Sequence, residues 1–234
     1  MPLNVKVENP SFYAGATLPT VPSFADVING VSGLVGLWEP STLADGAVAS
    51  LPPSYGTATL TPNIASVNKA TIGGKPAITF DAATSRLNGP AWPLGAGTPA
   101  TMICNFYLRV ETGDFQNIFG PPPGRIIYRD GSNSSFPQGL HYASTDSISP
   151  MPLAAPVVGW HLLEFYVNAT TVRVIIDGVA YSTTATGLAS ALFNFGNPNQ
   201  AGTNTSIALG KAFAANSDIY GTPAADTIKA YLAL

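Results

Sequence analysis

Charged side chains are scarce in this chain. Only 10% of its 234 residues are Asp, Glu, Lys or Arg, whereas about a quarter is usual in soluble domains. The net charge is −3 and no run of Lys or Arg occurs, so the clustered cations that phosphate binding requires are lacking, and we predict no nucleic-acid partner. Because interface cores are depleted in charge, the shortage also favours a homo-oligomer in which each subunit buries part of its surface.

Cysteine and long apolar runs are nearly absent as well. Cys104 is the single cysteine, so no disulfide can form within the chain, and we interpret this residue as a small buried side chain rather than a reactive thiol. No apolar stretch is long enough to span a membrane, and the first residues show no basic segment followed by an apolar run, as a secretory signal would. The sequence therefore predicts folding in a cytosol and no membrane partner.

Residues arranged for catalysis are also missing. The only glutamates are Glu8, Glu39, Glu111 and Glu164. None has an aspartate two residues later or a second glutamate nearby, as a strand carrying a nucleophile and an acid for glycoside hydrolysis would. The two histidines, His141 and His161, have no nucleophile motif around them, and His161 is interpreted as a hydrogen-bonded residue of the core. The segment Gly73-Gly-Lys75 lacks the spacing of a phosphate loop. We predict no catalytic residue and no enzymatic activity.

A metal or cofactor site is not predicted either. The chain has no dense acidic cluster of the kind that could hold calcium or manganese. Asp81, Asp114 and Asp218 are the conceivable ligands of a single calcium ion. Each is explained more simply as a turn residue, so the predicted set of metal ligands and cofactors is empty.

What the chain has in quantity is glycine, proline and alternating apolar residues. Gly 23, Pro 21 and 46% hydrophobic residues are typical of short strands joined by many turns. Along residues 159–168 and 171–177, apolar side chains recur at every second position, which indicates half-buried antiparallel strands. Asp177-Gly178 supplies the positive φ angles of a tight hairpin turn into residues 179–183. This region therefore reads as a β-meander.

Several segments carry a resemblance to a known family. They are the meander with its Trp160 start and Asp177-Gly178 turn, Gly33–Trp38, Pro76–Asp81 with Ser85–Leu87, Ala100–Val110, and Ser206–Gly210. In order and spacing they resemble the concanavalin-A-like jelly-roll superfamily, in particular laminin-G-like domains. The resemblance spans roughly residues 33–234 and implies an all-β jelly-roll sandwich of two antiparallel sheets.

The strand pattern predicts one sandwich domain preceded by an arm. Strands are predicted at 34–38, 57–61, 77–81, 85–87, 100–110, 115–119, 125–130, 139–143, 159–168, 171–177, 179–183, 206–210 and 227–233. Residues 33–234 form the sandwich in this interpretation. Residues 1–32 form an N-terminal arm or linker with a short helix at Ser23–Gly30, capped by Ser23. Such an arm could fasten the chain to a neighbouring subunit or wrap its own sandwich, and the sequence leaves both open.

The remaining candidate for function is one face of the predicted sheet. If the strands around Tyr107, Trp160 and Arg173 are neighbours, aromatic and charged side chains lie side by side on their outward face. The candidate glycan-binding residues are Tyr107, Arg109, Trp160, Glu164, Tyr166 and Arg173. Sugars bind to such faces by stacking on aromatic rings while polar groups hold their hydroxyls. The alternative is that Glu164 pairs with Arg109 or Arg173 and the aromatic residues only stabilise the sheet.

The combination of sandwich, arm, single cysteine and low charge resembles bacteriophage virion components. The resemblance implies a non-enzymatic structural or adhesive protein of a phage-like virion, such as a decoration, head-fibre or tail protein, assembled in the host cytoplasm. Its partners would be other virion proteins, contacted through the N-terminal arm, and host cell-surface glycans. Two alternatives stay open: a carbohydrate-binding module of a larger secreted protein, and a glycan-active hydrolase or lyase with an unrecognised site.

Overall fold

The fold is built almost entirely from short strands. A computed structural model of the chain describes residues 21–63, 67–81, 85–92, 98–109, 116–120, 125–129, 139–143, 148–151, 157–184, 191–196 and 207–233. In chain order the elements are α1 (Phe24–Asn29), β1 (Leu34–Trp38), a 3₁₀ turn (Pro40–Thr42), β2 (Gly46–Ala47), β3 (Pro53–Gly56), β4 (Thr61–Pro62), β5 (Val67–Ile72), β6 (Lys75–Phe80), β7 (Arg86–Trp92), β8 (Ala100–Leu108), β9 (Gln116–Phe119), β10 (Arg125–Arg129), β11 (Gly139–Ala143), β12 (Ile148–Pro150), β13 (Gly159–Val167), β14 (Thr171–Ile176), β15 (Val179–Thr184), β16 (Ala191–Gly196), β17 (Ile207–Ala215) and α2 (Pro223–Ala233).

Two antiparallel sheets form the body of the molecule. Among the described residues, the larger sheet has the strand order β15-β14-β13-β8-β17-β6-β5-β2, and β1 and β3 extend it beside β17. The smaller sheet has the order β12-β11-β10-β9-β16-β7-β4. Neighbouring strands in both sheets pair in antiparallel register. This is the all-β jelly-roll sandwich of two antiparallel sheets that the sequence predicts.

The main hydrophobic core lies between the two sheets. On β8 every second side chain points into it, and Met102, Cys104 and Phe106 are fully buried there. The ring of Phe119, from the smaller sheet, lies 5.4 Å from that of Phe165 on β13, so aromatic side chains join the layers. Burial raises the pKa of the Cys104 thiol, and its predicted role as a small buried apolar residue is confirmed.

A second apolar cluster covers the other face of the larger sheet. Ile103 of β8 and Phe213 of β17 point outward, away from the core between the sheets, yet both are fully buried. They pack in one cluster with Ile28 of α1 and Ile228 of α2. The two helices therefore form a third layer, and the central strands of the larger sheet are buried on both faces.

Helix α1 is closed at its start by a reciprocal cap. The backbone N–H of Asp26 donates to Ser23 Oγ at 3.2 Å, and the backbone N–H of Ser23 donates to Asp26 Oδ2 at 2.9 Å. This capping box satisfies two backbone donors that a helix start leaves free. The hydrogen bonds from the Ser23 side chain and backbone lower the pKa of Asp26. The predicted helix with Ser23 as its cap is confirmed.

The prediction of a strand at residues 227–233 is wrong, because this segment belongs to helix α2. Thr222 Oγ1 accepts a hydrogen bond from the Ala225 N–H at 3.2 Å, and Pro223 is the first helical residue. A threonine cap followed by proline is a typical helix start. The buried residues Ala225, Ile228 and Leu232 follow a helical spacing of three and four. Only Ile228 and Leu232, which are four residues apart, also fit the alternation of a strand.

Other strand boundaries need correction as well. Residues 57–61 do not form one strand: β3 ends at Gly56, and Leu60 pairs with Leu51 in an isolated bridge. Strand β17 runs on to Ala215 instead of stopping at 210. Among the described strands, five were not predicted at all, namely β2, β3, β5, β12 and β16. Most of these lie in stretches whose polar and small residues indicate loops, and their pairing depends on neighbours that are distant in sequence.

The predicted β-meander is confirmed in full. Strands β13, β14 and β15 follow one another as antiparallel neighbours. Asp177 and Gly178 have φ angles of 49° and 83°, the left-handed conformation that a tight hairpin turn needs. Asp177 Oδ2 also lies 2.7 Å from Nδ1 of His161. His161 is thus a buried, hydrogen-bonded residue of the sandwich, as predicted.

The N-terminal arm is only partly described. Residues 1–20 fall outside the described residues, so the arm over residues 1–32 and the domain boundary at residue 33 stay predictions. Residues Phe24–Asn29 pack as α1 against α2 and the outer face of the larger sheet. None of the helices in the described ranges is long and apolar enough to cross a membrane.

Candidate functional site

The strands that carry the candidate glycan-binding residues are neighbours in the larger sheet. β13 lies between β8 and β14, with Trp160 opposite Tyr107 and Tyr166 opposite Arg173. All four side chains belong to the outward face. Trp160 and Tyr166 are six residues apart on β13, which places them about 20 Å apart along an extended strand. The predicted face therefore has two ends, which differ in burial: Tyr166 is buried, whereas Trp160 is partly exposed.

One end of the face is covered by helix α2. Tyr166 is 1% exposed and Glu164 is 5% exposed. The Tyr166 hydroxyl donates to Glu164 Oε2 at 2.7 Å, and Lys229 of α2 places its Nζ 3.7 Å from the same oxygen. Burial, followed by the Glu164 carboxylate, raises the pKa of Tyr166. The expectation that these two side chains are open to a ligand is corrected, because the unpredicted helix lies over them.

The two arginines are engaged away from Glu164. The Arg173 guanidinium lies 3.7 Å from the ring centroid of Tyr220, a cation–π contact at the covered end. Arg109 follows the end of β8, and its Nη1 lies 3.8 Å from Asp81 Oδ1. The alternative in which Glu164 pairs with Arg109 or Arg173 is therefore also corrected: its cationic neighbour is Lys229.

The other end of the face keeps an aromatic pair at the surface. The rings of Tyr107 and Trp160 meet edge to face, with centroids 5.4 Å apart, and both side chains are half-buried. Trp160 Nε1 donates to the Gly73 carbonyl at 3.2 Å, and Lys75 Nζ lies 5.8 Å from the Trp160 ring centroid. The indole is thereby fixed from two sides while part of its surface stays accessible.

A small cleft opens beside this aromatic pair. Its volume is about 170 Å³. The lining residues come from the 3₁₀ turn, the β5–β6 turn, β6, β8 and β17: they are Pro40, Ser41, Gly74, Lys75, Pro76, Asn105 and Lys211. We call this the outer-face cleft. Among the lining residues that the structure describes, none carries a carboxylate, and the charged ones are the two lysines.

The carboxyl end of helix α2 forms a wall next to the outer-face cleft. Three side chains from three strands donate to its last carbonyls: Lys211 Nζ to Tyr231 O at 3.0 Å, Asn105 Nδ2 to Leu232 O at 2.9 Å and Lys75 Nζ to Ala233 O at 2.7 Å. Carbonyls at the end of a helix lack partners within the helix, and cations are favoured there by the helix dipole. These contacts hold α2 on the sheet and hold both lysines at the cleft.

Burial shifts the pKa values of two side chains near the outer-face cleft, Lys211 and Tyr231. The pKa of Lys211 is lowered, chiefly because burial disfavours its charged form, although nearby Glu39 acts in the opposite direction. The Tyr231 hydroxyl donates to Glu39 Oε1, and burial together with this carboxylate raises the pKa of Tyr231 to about 12. The Glu39 carboxylate is thus held by Tyr231 and is not a wall of the cleft.

Two glycines make room for the aromatic pair and for Asn105. A Cβ at Gly210 would clash with Asn105 Oδ1 and lie 2.9 Å from Trp160 Cζ3. A Cβ at Gly73, whose φ is 53°, would lie 2.6 Å from the Tyr107 ring and 2.8 Å from Trp160 Nε1. Any larger residue at either position would displace the side chains that shape the cleft.

A larger groove lies between α1 and the segment that leads into α2. It is open and mostly apolar, with a volume of about 900 Å³. Its acidic side chains already serve the fold: Asp26 caps α1, and Asp218 accepts from the Asn168 side chain and the Tyr220 backbone N–H. In the outer-face cleft, polar groups make up a larger share of the lining surface than in this groove. Within the described ranges, no three His, Cys, Asp or Glu side chains are grouped closely enough to hold a metal ion, and Asp114 lies outside those ranges.

Sequence reasoning missed three residues of this site. Asn105 is on the predicted outward face but was not selected. Lys75 was weighed only as part of a phosphate loop, and Lys211 was not considered. No local pattern marks the two lysines as neighbours, because their approach depends on the pairing of β6 with β17. Of the predicted residues, the structure brings Tyr107 and Trp160 to the cleft, whereas Arg109 lies with Asp81 and the other three lie at the covered end. The glycan-binding role of all six stays a prediction.

Comparison with known proteins supports the fold. No protein-family model matches the chain, and no curated protein matches it in sequence. Among solved structures, it is similar to Trypanosoma rangeli sialidase in complex with sialic acid (14% identity, TM-score 0.59, 95% of this chain and 36% of that chain). It is also similar to domain 4 of AbnA, an extracellular arabinanase from Geobacillus stearothermophilus, in complex with arabinotriose (16% identity, TM-score 0.59, 84% and 98%).

A third similar structure is the binding domain of botulinum neurotoxin serotype D (10% identity, TM-score 0.58, 86% of this chain and 51% of that chain). The chain spans about a third of the length of the sialidases that it matches. At identities this low, the likeness shows a shared fold. The residues of the cleft have to be interpreted on their own.

Proposed function

We propose that this chain is a non-catalytic glycan-binding domain whose binding site is the outer-face cleft with Trp160 at its edge. The observation that carries the proposal is the half-buried indole, held in place by Gly73 and Lys75 next to a cavity lined with hydrogen-bonding groups. A rigid aromatic surface beside convergent polar groups is what a sugar ring needs, because its apolar face stacks while its hydroxyls are held. The arabinotriose complex of one similar domain is in keeping with this role.

We expect the chain to bind glycans without hydrolysing them. Glycoside hydrolysis needs two carboxyl groups about 5 to 10 Å apart, one on each side of the scissile bond. The described lining of the cleft holds lysines and an amide instead of such a pair. Turnover on a glycan panel, detected as release of reducing ends, would contradict this part and favour the hydrolase or lyase alternative.

Replacing Trp160 with alanine is expected to weaken glycan binding by at least about tenfold, equivalent to about 1.4 kcal/mol, because the stacking surface is lost. The measurement is binding of the folded variant to a glycan array or to host cells. The matched control is Tyr220→Ala, which removes an aromatic ring at the covered end of the same face and should leave binding unchanged. Loss of binding in Tyr220→Ala but not in Trp160→Ala would move the site to the other end.

We further propose that the chain acts as an adhesive or structural component of a phage-like virion and assembles through its N-terminal segment. The low charge content supports an assembled state, since interfaces are poor in charge. Attachment to other virion proteins through residues 1–32 would leave the outer-face cleft to bind host cell-surface glycans. The alternative of a module within a larger secreted protein predicts a monomer.

Removal of residues 1–20 is expected to convert a homo-oligomer into monomers. This truncation is preferable to removal of residues 1–32, because Ile28 and Val31 belong to the buried cluster under the helices and their loss would damage the fold. Solution mass by light scattering, with and without residues 1–20, is the measurement. A full-length chain that is already monomeric would contradict assembly through this segment.

A further inference from the structure

The outer-face cleft combines two ammonium groups with a wall that is fixed by a buried amide. Asn105 is only 5% exposed, and its Oδ1 is fully buried without a hydrogen-bond partner. Because Oδ1 has no open surface, Asn105 shapes the wall, and the charged groups that can reach a ligand are those of Lys75 and Lys211.

The orientation of the Asn105 amide is fixed by helix α2. Its Nδ2 donates to the Leu232 carbonyl at 2.9 Å. A carbonyl only accepts hydrogen bonds, so the amide cannot be turned round without losing this contact. The acceptor Oδ1 therefore stays packed against Gly210, where a Cβ would clash with it, and the amide holds the wall of the cleft in one shape.

The two lysines supply positive charge and further donors at the same place. Each donates one hydrogen bond to α2, to Ala233 O from Lys75 and to Tyr231 O from Lys211, and Lys211 Nζ also lies 4.1 Å from the ring centroid of Tyr231. An ammonium group has three donors, so each lysine retains donors for a ligand. The Glu39 carboxylate is nearby but accepts from the Tyr231 hydroxyl and does not line the cleft.

The size of the cleft limits what it can hold. At about 170 Å³, it is smaller than the pockets of about 300–1,000 Å³ that take drug-sized ligands, and it suits a single sugar residue. Gly210 and Gly73 keep Asn105 and the Trp160 ring close to the sheet, so the aromatic surface lies next to the ammonium groups of the two lysines.

We propose that the preferred ligand is an acidic saccharide, whose terminal residue places a carboxylate or sulfate between Lys75 and Lys211 and stacks on Trp160. This inference rests on the proposed glycan-binding function and names its ligand class. Charge-assisted hydrogen bonds to an anionic group are stronger than neutral ones, which gives acidic sugars an advantage over neutral sugars of the same shape.

The test compares three ligands that differ in one group: methyl β-D-glucuronide, methyl β-D-glucoside and methyl β-D-glucoside 6-sulfate. Affinities of the full chain are measured by NMR titration at low and high salt. We expect the better of the two anionic sugars to bind at least about tenfold more tightly than the glucoside, and salt to reduce that preference because it screens charge. Tighter binding of the glucuronide would indicate that the ligand carries a carboxylate, and tighter binding of the 6-sulfate would indicate a sulfate.

Variants assign the preference to the cleft. Lys75→Gln and Lys211→Gln each keep an N–H donor for the helix carbonyl but remove the charge. Each should reduce affinity for the acidic sugar by about tenfold and leave the glucoside unchanged. Lys69→Gln is the matched control, because Lys69 pairs with Asp45 and is not a lining residue, so it should have no effect.

The outcomes separate this inference from the proposed function. Equal affinities for acidic and neutral sugars, both lost in Trp160→Ala, would keep glycan binding at the cleft and overturn the acidic preference. A preference for acidic sugars that persists in both lysine variants would also overturn it. The absence of binding to all three sugars, together with a negative glycan array, would overturn both proposals.

Discussion

Trp38→Ala is expected to lower the free energy of unfolding by about 3–5 kcal/mol, the range for removing a large aromatic side chain from a core. Trp38 is fully buried between the two sheets, its ring lies edge-on to Phe195, and its Nε1 donates to the Ala58 carbonyl at 2.7 Å. The alanine variant would leave both a cavity and a carbonyl without this donor. Chemical denaturation followed by circular dichroism measures the loss.

The control for this prediction is a tryptophan-to-alanine substitution at a less buried position. Trp160→Ala removes an identical side chain from the edge of the outer-face cleft, where the ring is half-buried. It should cost clearly less stability than Trp38→Ala while abolishing glycan binding, and Trp38→Ala should leave binding intact below its unfolding transition. Equal destabilisation by the two variants would contradict the assignment of Trp38 to the core and Trp160 to the site.

Ile228→Ala is the second substitution with a large expected effect, about 2–5 kcal/mol less stability to unfolding. Ile228 is fully buried where α2 packs on α1 and on the outward residues of the larger sheet, in the cluster that includes Ile103 and Phe213. Loss of its side chain removes contacts from the centre of this third layer. The free energy of unfolding from urea denaturation is the readout.

An exposed position on the same helix provides the comparison. Ala230 is exposed, so Ala230→Ser should cost no more than about 0.5 kcal/mol, the difference in helix propensity. If Ile228→Ala were as mild as Ala230→Ser, the helix layer would contribute little to stability. Unfolding in two transitions would show that α2 separates from the sandwich before the sheets do.

Local signals explain which parts of the fold could be predicted from the sequence. The alternation along β13 and β14, with Asp177-Gly178 between β14 and β15, identifies the meander because strand period and turn chemistry agree within a short stretch. The cap at Ser23 identifies α1 for the same reason. These features need no knowledge of distant residues, and they are the ones that the structure confirms.

Helix α2 shows why other parts were missed. Ile228 and Leu232 fit a strand and a helix equally well over so few residues, whereas Thr222 and Pro223 marked a helix start. The resemblance to a jelly roll implies a final strand here, and this expectation conflicts with the helix cap at Thr222. The error then extended to the site: a strand would have left Glu164 and Tyr166 on an open face, and a helix covers them.

The cleft itself depends on contacts that local pattern cannot show. Lys75 and Lys211 are more than a hundred residues apart in sequence and meet only because β6 and β17 pair. Asn105 joins them because β8 is the neighbour of β17 on its other side. Their common partner, the end of α2, comes from yet another part of the chain. The site is a product of tertiary pairing, and only its aromatic half has a sequence signature.

The contacts at the end of α2 provide a second way to detect a ligand in the cleft. The two lysines that would bind an acidic sugar, together with the asparagine beside them, also hold the carbonyls of Tyr231, Leu232 and Ala233. By thermodynamic reciprocity, a ligand whose affinity depends on these side chains must in turn alter how often that helix end frays. Slower amide exchange in the last turn of α2 would therefore report occupancy of the cleft, even for a sugar that leaves the fluorescence of Trp160 unchanged.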